Sequence, residues 1–153
     1  MQRSSLIALS LLLSGALGAC KKDKTETKQD LLVGKDWQVA AATVTYAGAQ
    51  TSTKDAYAEM NACEKDNYLR FKSDKTLEVN EGKNLCPDSE QMAMGTWDIN
   101  ADQTKLYLNT PELGNSAAAQ SDIIELTSSK LVLKNVVVQP DETITSVTTF
   151  SAK

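Results

Sequence analysis

Three segments of this chain share one pattern, in which apolar and polar residues alternate on both sides of a short polar break. Successive side chains of a strand point to opposite faces, so this alternation predicts strands that are buried on one face. The Ser, Asp and Asn residues in the breaks are typical of tight turns. The pattern therefore predicts three β-hairpins. They span residues 68–80, 95–109 and 122–136, with turns at 73–75, 100–103 and 128–129.

The rest of the chain after residue 30 also has a mainly β pattern. Residues 37–46, WQVAAATVTY, alternate with one change of parity, which predicts a β-bulge near Ala42. Residues 55–60 predict a short helical turn, and residues 142–150 form the last predicted strand. All three prolines lie in predicted connections, where a missing backbone N–H does not interrupt a sheet.

About eight predicted strands joined by short links favour an all-β fold. No long segment with the 3.6-residue period of an amphipathic helix follows the N-terminal region. Successive hairpins are typical of an antiparallel up-and-down barrel, whose closure removes exposed strand edges. A two-sheet sandwich is the main alternative, because alternation does not determine whether the sheet closes.

The N-terminal region has the layout of a secretory signal peptide. Residues 6–17 are twelve uncharged, mainly apolar residues, which is too short for the roughly 20 residues of a membrane-spanning helix. Arg3 precedes the run, and the small residues Gly18 and Ala19 follow it. A buried core helix is the alternative, but these flanks favour export.

The four residues 17–20, Leu-Gly-Ala-Cys, resemble the lipobox of bacterial lipoproteins. The resemblance implies that the Cys20 sulfur carries acyl chains such as palmitate and that the peptide is cut before it. Two or three chains anchor well, since each buried CH₂ contributes about 0.8 kcal/mol. Lys21, where some inner-membrane lipoproteins carry Asp, favours the outer membrane. The periplasmic face and the cell surface both stay open.

These features divide the chain into three predicted parts. Residues 1–19 are the signal peptide, and residues 20–30 are the lipidated cysteine and a charged tether, KKDKTETKQD, with no apolar residue after the cysteine. Residues 31–153 form one domain, which is long enough to bury a core. Without the signal peptide the chain has 15 basic and 20 acidic residues. This balance argues against nucleic-acid binding, which needs a basic surface.

The chain contains no histidine. Ser-His-Asp and Cys-His catalytic sites are therefore excluded, and so is a zinc site with histidine ligands. No glycine-rich phosphate loop occurs, because the seven glycines are scattered. We predict no cofactor, no metal site and no enzymatic activity.

Two cysteines remain once Cys20 is assigned to the lipid. In an exported protein, Cys63 and Cys86 are expected to form a disulfide. The chain-entropy model assigns a loop of this length about 3 kcal/mol of stabilisation. Free thiols or a metal site are the alternative, which the absence of histidine disfavours.

A series of short motifs runs in order through the region from Leu32 to the C-terminus. They are GKDW at 34–37, CEKDNY at 63–68 leading to Phe71, SDKT at 73–76, Cys86, GTW at 95–97, IELT at 124–127 and LVL at 131–133. This ordered set resembles the lipocalin-like domains of bacterial lipoproteins, which implies an eight-stranded barrel. True lipocalins carry Gly-x-Trp in the first strand, whereas Gly34 and Trp37 are separated by one residue more.

Five aromatic residues are the candidate ligand-binding residues of such a barrel. They are Trp37, Tyr68, Phe71, Trp97 and Tyr107. An eight-stranded barrel is just wide enough to hold one small ligand or to be filled by its own side chains. The same aromatic residues are therefore either the wall of a cavity or plain core.

Two polar patterns have a functional and a structural interpretation. Residues 98–104 place Asp98, Asn100 and Asp102 as in a calcium loop, but Gln103 replaces the loop glycine, so a hairpin turn is the preferred interpretation. Acidic residues also surround Cys86 and could form a catalytic carboxylate pair. Their spacing marks no pair, and solvated carboxylates in polar loops are the preferred interpretation. They are Glu78, Glu81, Asp88 and Glu90.

The sequence therefore predicts a lipid-anchored envelope protein of the outer membrane with a non-catalytic lipocalin-like barrel. The first functional hypothesis is binding of a small apolar or amphipathic molecule, with the membrane as the other partner. The alternative is a structural or protein-interaction module with a side-chain-filled barrel. A cavity above roughly 300 Å³ favours the first hypothesis. A filled barrel with an exposed apolar patch favours the second.

Overall fold

The computed structural model describes residues 26–110 and 119–153. The predicted signal peptide and Cys20 lie outside these ranges. No helix in the described ranges is long and apolar enough to cross a membrane.

Nine strands and two short helices make up the described chain. In order they are α1 (Lys28–Leu32), β1 (Asp36–Ala47), β2 (Thr51–Asp55), α2 (Ala56–Glu59), β3 (Tyr68–Phe71), β4 (Thr76–Asn80), β5 (Met92–Ile99), β6 (Lys105–Asn109), β7 (Ala119–Leu126), β8 (Lys130–Val138) and β9 (Thr143–Ala152). Each predicted hairpin is present, and α2 is the short helical turn predicted at residues 55–60.

Eight of the strands close into an antiparallel barrel. The ring runs β1-β3-β4-β5-β6-β7-β8-β9 and closes because β9 pairs with β1. This confirms the predicted up-and-down barrel over the sandwich. The ninth strand, β2, pairs with residues 43–47 of β1 outside the ring. It comes from a polar stretch whose residues are all exposed, so no alternation marks it as a strand.

Two bulges adjust the parity of the strands. In β1 the register with β9 shifts between Val39 and Ala41, close to the predicted position. In β7 it shifts between Ile123 and Glu125, which leaves the Ile124 side chain 59 % exposed on the outer face while Ile123 stays in the core. A bulge places two successive residues opposite one, so both strands keep their apolar side chains inside on either side of it.

Helix α1 belongs to the folded domain. The Thr27 side chain accepts a hydrogen bond from the Asp30 N–H, and Asp30 accepts one from the Thr27 N–H, which forms a capping box. Leu32 is fully buried, and its carbonyl accepts the Trp37 indole N–H at 2.9 Å. The ordered domain therefore includes residues 27–30, which the sequence analysis assigned to the tether. Capping and the burial of Leu32 compensate for their polar composition.

The barrel has two different ends. We call the end covered by α1 the closed end; it carries the turns at 72–75, 100–104 and 127–129. We call the other the loop end; it carries the connections at 56–67, 81–91 and 139–142. The core lies towards the closed end. Its members are Leu32, Trp37, Phe71, Leu77, Trp97, Leu106, Ile123, Leu131, Leu133 and Phe150.

Candidate functional site

On the loop-end side of the core, smaller side chains line the interior of the barrel. Directly opposite residues of an antiparallel pair share a face, so the register identifies the side chains that continue the interior rows towards the loop end. These interior pairs are Ala42–Thr148, Val79–Ala93 and Leu108–Ala119. Each pair contains a small residue, and all six residues are partly exposed. The loop-end half of the barrel is therefore less completely filled than the closed end.

An apolar cavity lies at this transition. Its volume is about 110 Å³, and it is lined by Trp37, Val39, Asn67, Tyr68, Leu69, Val79 and Phe150. The volume is below the roughly 300–1,000 Å³ of pockets for drug-sized ligands. It therefore falls short of the size that the sequence analysis set for a ligand-binding barrel, and it fits only a small apolar group.

The cavity lies beside the shortest strand pairing of the barrel, the one between β1 and β3. Strand β1 pairs with β3 only at residues 36–38, and its pairing with β2 starts at Thr43. Residues 39–42 of β1 thus have no strand partner on that edge. The connection that contains Asn67 enters β3 at this point, so the cavity is bounded by a loop as well as by strands.

A disulfide joins the connections at 56–67 and 81–91, beside the short pairing of β1 with β3. Cys63 and Cys86 are bonded, with their Cα atoms 5.2 Å apart, which confirms the predicted pairing. Asp66 adds a second link, because its Oδ2 accepts hydrogen bonds from the backbone N–H groups of Lys83 and Asn84 at 2.8 and 3.1 Å. These bonds, chiefly that from Lys83, lower the pKa of Asp66 below its usual value.

Gly82 allows this close approach of the two connections. Its φ is +69°, and an added Cβ would lie 2.5 Å from the Asp66 carbonyl oxygen. Both the backbone conformation and the space therefore exclude a side chain at this position.

The structure separates the five predicted ligand-binding residues. Trp37 lines the cavity and is fully buried. Phe71 and Trp97 pack edge to face, with ring centroids 5.3 Å apart, and the Trp97 indole donates to the Lys72 carbonyl at 3.0 Å. Neither is among the residues that line the cavity, so these two are core residues at the closed end.

The two tyrosines have outward parity. Tyr107 pairs with Asp98 on the outer face and lines a shallow groove there, away from the cavity. Tyr68 contributes to the cavity rim, but its ring lies 5.4 Å from the guanidinium of Arg70 on the outer face. Of the five candidate residues, Trp37 and Tyr68 line the cavity and the other three do not. Strands β3 and β6 place alternate residues on opposite faces of the sheet.

Ion pairs on the outer face support the short β1–β3 pairing. Arg70 donates to both carboxylate oxygens of Asp36, at 2.6 and 2.9 Å, and this bond raises the pKa of Arg70. Glu78 of β4 pairs with Lys72 at 2.5 Å and approaches Arg70 at 3.4 Å. Glu78, one of the acidic residues considered for catalysis, is thus held between two cations.

The calcium-like pattern is a hairpin turn. Asn100 Oδ1 accepts from the backbone N–H groups of Thr104 and Lys105, and Asp102 Oδ1 accepts from the Thr104 hydroxyl at 2.6 Å. These oxygens stabilise the turn between β5 and β6. Within the described ranges, no three potential metal-ligating side chains cluster together.

A comparison with protein families agrees with this architecture. The profile of the lipocalin-like domain family matches residues 32–133, two thirds of the chain. This chain belongs to the lipocalin-like domain family. No curated protein matches it significantly.

The solved structures to which this chain is similar include a lipocalin-like protein from Bacteroides uniformis ATCC 8492, with 14 % identity and a TM-score of 0.45. That match covers 79 % of this chain and 97 % of the other. Another is bovine odorant binding protein in complex with a selenium-containing odorant, with 12 % identity and a TM-score of 0.44. It covers 87 % of this chain and 77 % of the other.

Three residues of this lipocalin-like domain were missed as site residues by the sequence analysis. Asp66 and Asn67 stood out only as part of the CEKDNY motif, and Gly82 only as one of seven glycines. The roles of Asp66 and Gly82 depend on contacts across the two connections, over 16 to 18 residues of sequence. A glycine inside a polar stretch was the available signal for a backbone with positive φ.

Proposed function

We propose that this chain is a lipid-anchored envelope lipoprotein whose lipocalin-like barrel binds a small apolar or amphipathic molecule. The observation that carries the proposal is the apolar cavity between β1 and β3, below an incompletely filled loop-end interior. Its position beside the part of β1 that has no strand partner on the β3 edge supports ligand entry there. Family membership supports a binding role rather than catalysis.

The membrane part of the proposal rests on the lipobox-like residues 17–20. Helix α1 starts at Lys28, at the closed end of the barrel. Seven residues, 21–27, separate it from Cys20, and the eight Cα-to-Cα steps span at most about 28 Å when extended. An acylated Cys20 would therefore keep the closed end nearer the bilayer than the loop end.

The ligand proposal is tested by native mass spectrometry of the mature chain purified gently from an exporting host. We expect an adduct that is lost on denaturation. Val39→Phe fills the cavity and should reduce adduct occupancy about tenfold or more. Val136→Phe, the same change on the outer face of β8, is the matched control and should not change it. An adduct that survives Val39→Phe at full occupancy would contradict binding in this cavity.

The anchor is tested by labelling with an alkyne analogue of palmitate in an exporting bacterial host. The wild-type chain should be labelled and should sediment with membranes. Cys20→Ser should lose both properties, because the acceptor sulfur is gone. Cys63→Ser, which removes a different cysteine, should remain labelled. Membrane association of the Cys20→Ser variant without label would contradict a lipid anchor.

A protein-interaction role is the second candidate, and one observation favours it. Val136 and Val138, which share the outer face at the end of β8, are both exposed, Val138 by 76 %. Exposed apolar clusters mark interaction surfaces in many proteins. A bare protein mass in the first experiment, with loss of a co-purifying protein after Val138→Lys, would support this role instead.

A further inference from the structure

A groove on the outer face of the barrel is larger than the apolar cavity and lies outside it. Its volume is about 520 Å³, within the roughly 300–1,000 Å³ of pockets that hold small molecules. Gln38 of β1 pairs with Tyr68 of β3, which pairs with Asn80 of β4, so these three side chains form one row on the outer face. All three line the groove, which we call the outer groove.

The linked connections of the loop end form a wall of the outer groove. Asp66, Gly82 and Lys83 line it, where Asp66 Oδ2 accepts the Lys83 backbone N–H. Lys153 also lines the groove, and its backbone N–H donates to the Asp36 carbonyl at 3.0 Å. Strand pairs and these bonds fix the backbone around the groove, so the fold itself forms it.

The row of three side chains has unused donors and acceptors. Gln38 Nε2 donates to the Lys65 carbonyl, which leaves Gln38 Oε1 without a partner among the described residues. Asn80 Oδ1 accepts the Gly82 N–H, whereas Asn80 Nδ2 has no partner in the same part of the chain. The Tyr68 hydroxyl has none there either. None of these three atoms belongs to the buried polar atoms that lack a partner, so all three are accessible to solvent.

The hydroxyl groups of a sugar ring match this set of atoms. A hydroxyl both donates and accepts a hydrogen bond, so the hydroxyls of one ring can pair with Gln38 Oε1 and with Asn80 Nδ2. The Tyr68 ring lies between the two amides and offers apolar surface to the C–H groups of the sugar. Arg70, whose guanidinium lies 5.4 Å from the centre of this ring, does not line the groove and leaves part of the ring to a ligand. A purely apolar ligand would exclude water from both amides and leave them unpaired, which is unfavourable.

We infer that the outer groove binds a saccharide, with its hydroxyl groups on Gln38 and Asn80 and its C–H groups on Tyr68. The ammonium groups of Lys83 and Lys153, which form no ion pair with a described residue, add hydrogen-bond donors at the margin of the groove. This site is separate from the proposed apolar one, because the cavity lies inside the barrel and the groove lies on its outer face. Tyr68 lines both.

Saturation-transfer difference NMR on the mature chain tests the saccharide site. The probes are the methyl glycosides of glucose, galactose, mannose and N-acetylglucosamine, and the disaccharides maltose, lactose and cellobiose. At least one of them should bind saturably. Cyclohexanol, a ring with a single hydroxyl, should bind about tenfold more weakly than that saccharide, because one hydroxyl does not pair with both amides.

Tyr68→Leu removes the aromatic ring of the outer groove, and Tyr107→Leu is the matched control. Tyr107 also lies on the outer face, in the shallow groove of about 170 Å³, which is below the size of pockets for small molecules. Tyr68→Leu should weaken saccharide binding about tenfold, because the ring contact is lost. Tyr107→Leu should leave it unchanged. If Tyr68→Leu does not fold, Gln38→Met retains the length of the side chain, and loss of its acceptor should weaken binding about threefold.

The outcomes distinguish the saccharide site from the proposed apolar one. Absence of saturable binding by every saccharide at millimolar concentrations would overturn the saccharide site and leave the cavity ligand unaffected. Cyclohexanol binding as tight as that of the saccharide would overturn the pairing with two amides. Unchanged saccharide binding in Tyr68→Leu or Gln38→Met would overturn its place in the outer groove. Saccharide binding should survive Val39→Phe, which fills the cavity, and its loss there would assign the saccharide to the cavity instead.

Discussion

At the scale of single residues, the same residue type has different roles according to its face and its depth. Phe71 and Trp97 pack on each other in the closed end, whereas Trp37 contributes its surface to a cavity. Asp66 and Asn67 are neighbours, yet Asp66 Oδ2 accepts hydrogen bonds from another connection, whereas Asn67 lines the cavity. These differences come from three-dimensional neighbours that sequence spacing does not reveal.

Phe71→Ala tests the assignment of Phe71 to the core. The free energy of unfolding should fall by about 3–5 kcal/mol, because a large buried side chain is removed and a cavity remains. Ile124→Ala, which truncates an exposed side chain on the outer face, should change it by less than about 0.5 kcal/mol. Urea unfolding measures both. A small effect of Phe71→Ala would indicate that Phe71 faces a space already open to ligand or solvent.

Asp66 should make stability depend on acid pH. Its pKa is lowered in the folded chain relative to 3.8, so the unfolded chain binds the proton more readily. The stabilisation is therefore present above the unfolded value and is lost as pH falls from about 4 through the folded pKa. Asp66→Asn should lower the urea midpoint at pH 7 and weaken its decline between pH 4 and 3.

Asp141→Asn is the control for this pH dependence. Asp141 is an exposed aspartate in the connection between β8 and β9. Its replacement should leave the acid decline of the urea midpoint as it is in the wild-type chain. An Asp66→Asn variant with the wild-type decline would show that Asp66 does not contribute to it.

At the scale of elements, bonds between connections hold the loop end together where strand pairing is short. The connections at 56–67 and 81–91 are joined by the disulfide and by the bonds of Asp66. Strand β3 has only four residues and pairs with β1 at three positions, so these links support the region where strand pairing is short.

Removal of the disulfide should destabilise the domain without opening the barrel elsewhere. The double variant Cys63→Ser, Cys86→Ser should lose about 3 kcal/mol of stability, because the unfolded chain gains the freedom of the open loop. Urea unfolding of the oxidised and variant chains measures the difference. Thiol titration of the denatured, unreduced mature domain should detect neither cysteine. Two reactive thiols would show that the bond does not form in the exported protein.

At the scale of the whole molecule, strand pairing is uneven around the barrel. Strand β9 pairs with β1 and β8 over long stretches, whereas β1 and β3 share three pairs and β2 lies outside the ring. The barrel is therefore most continuous at β8, β9 and β1 and least continuous beside the cavity.

Hydrogen exchange should follow this unevenness. Amides of β9, which has partners on both sides, should be the slowest to exchange, and those of β2 should be among the fastest, because local opening requires few contacts to break. Hydrogen–deuterium exchange with mass spectrometry measures both on the mature chain. Equal protection of β2 and β9 would mean that β2 is covered by a further partner in solution.

Alternation, turn residues and cysteine count were sufficient to predict an antiparallel all-β fold, its hairpins and the Cys63–Cys86 bond, because these depend on local pattern and chemical type. Sequence alone also indicated the bulge in β1. The tertiary structure decided that residues 27–30 join the fold, that Phe71 and Trp97 are core, and that Tyr107 faces outward. It also brought Asn67 to the cavity, because strand parity, closure and the crossing of two connections are set only when the whole ring is assembled.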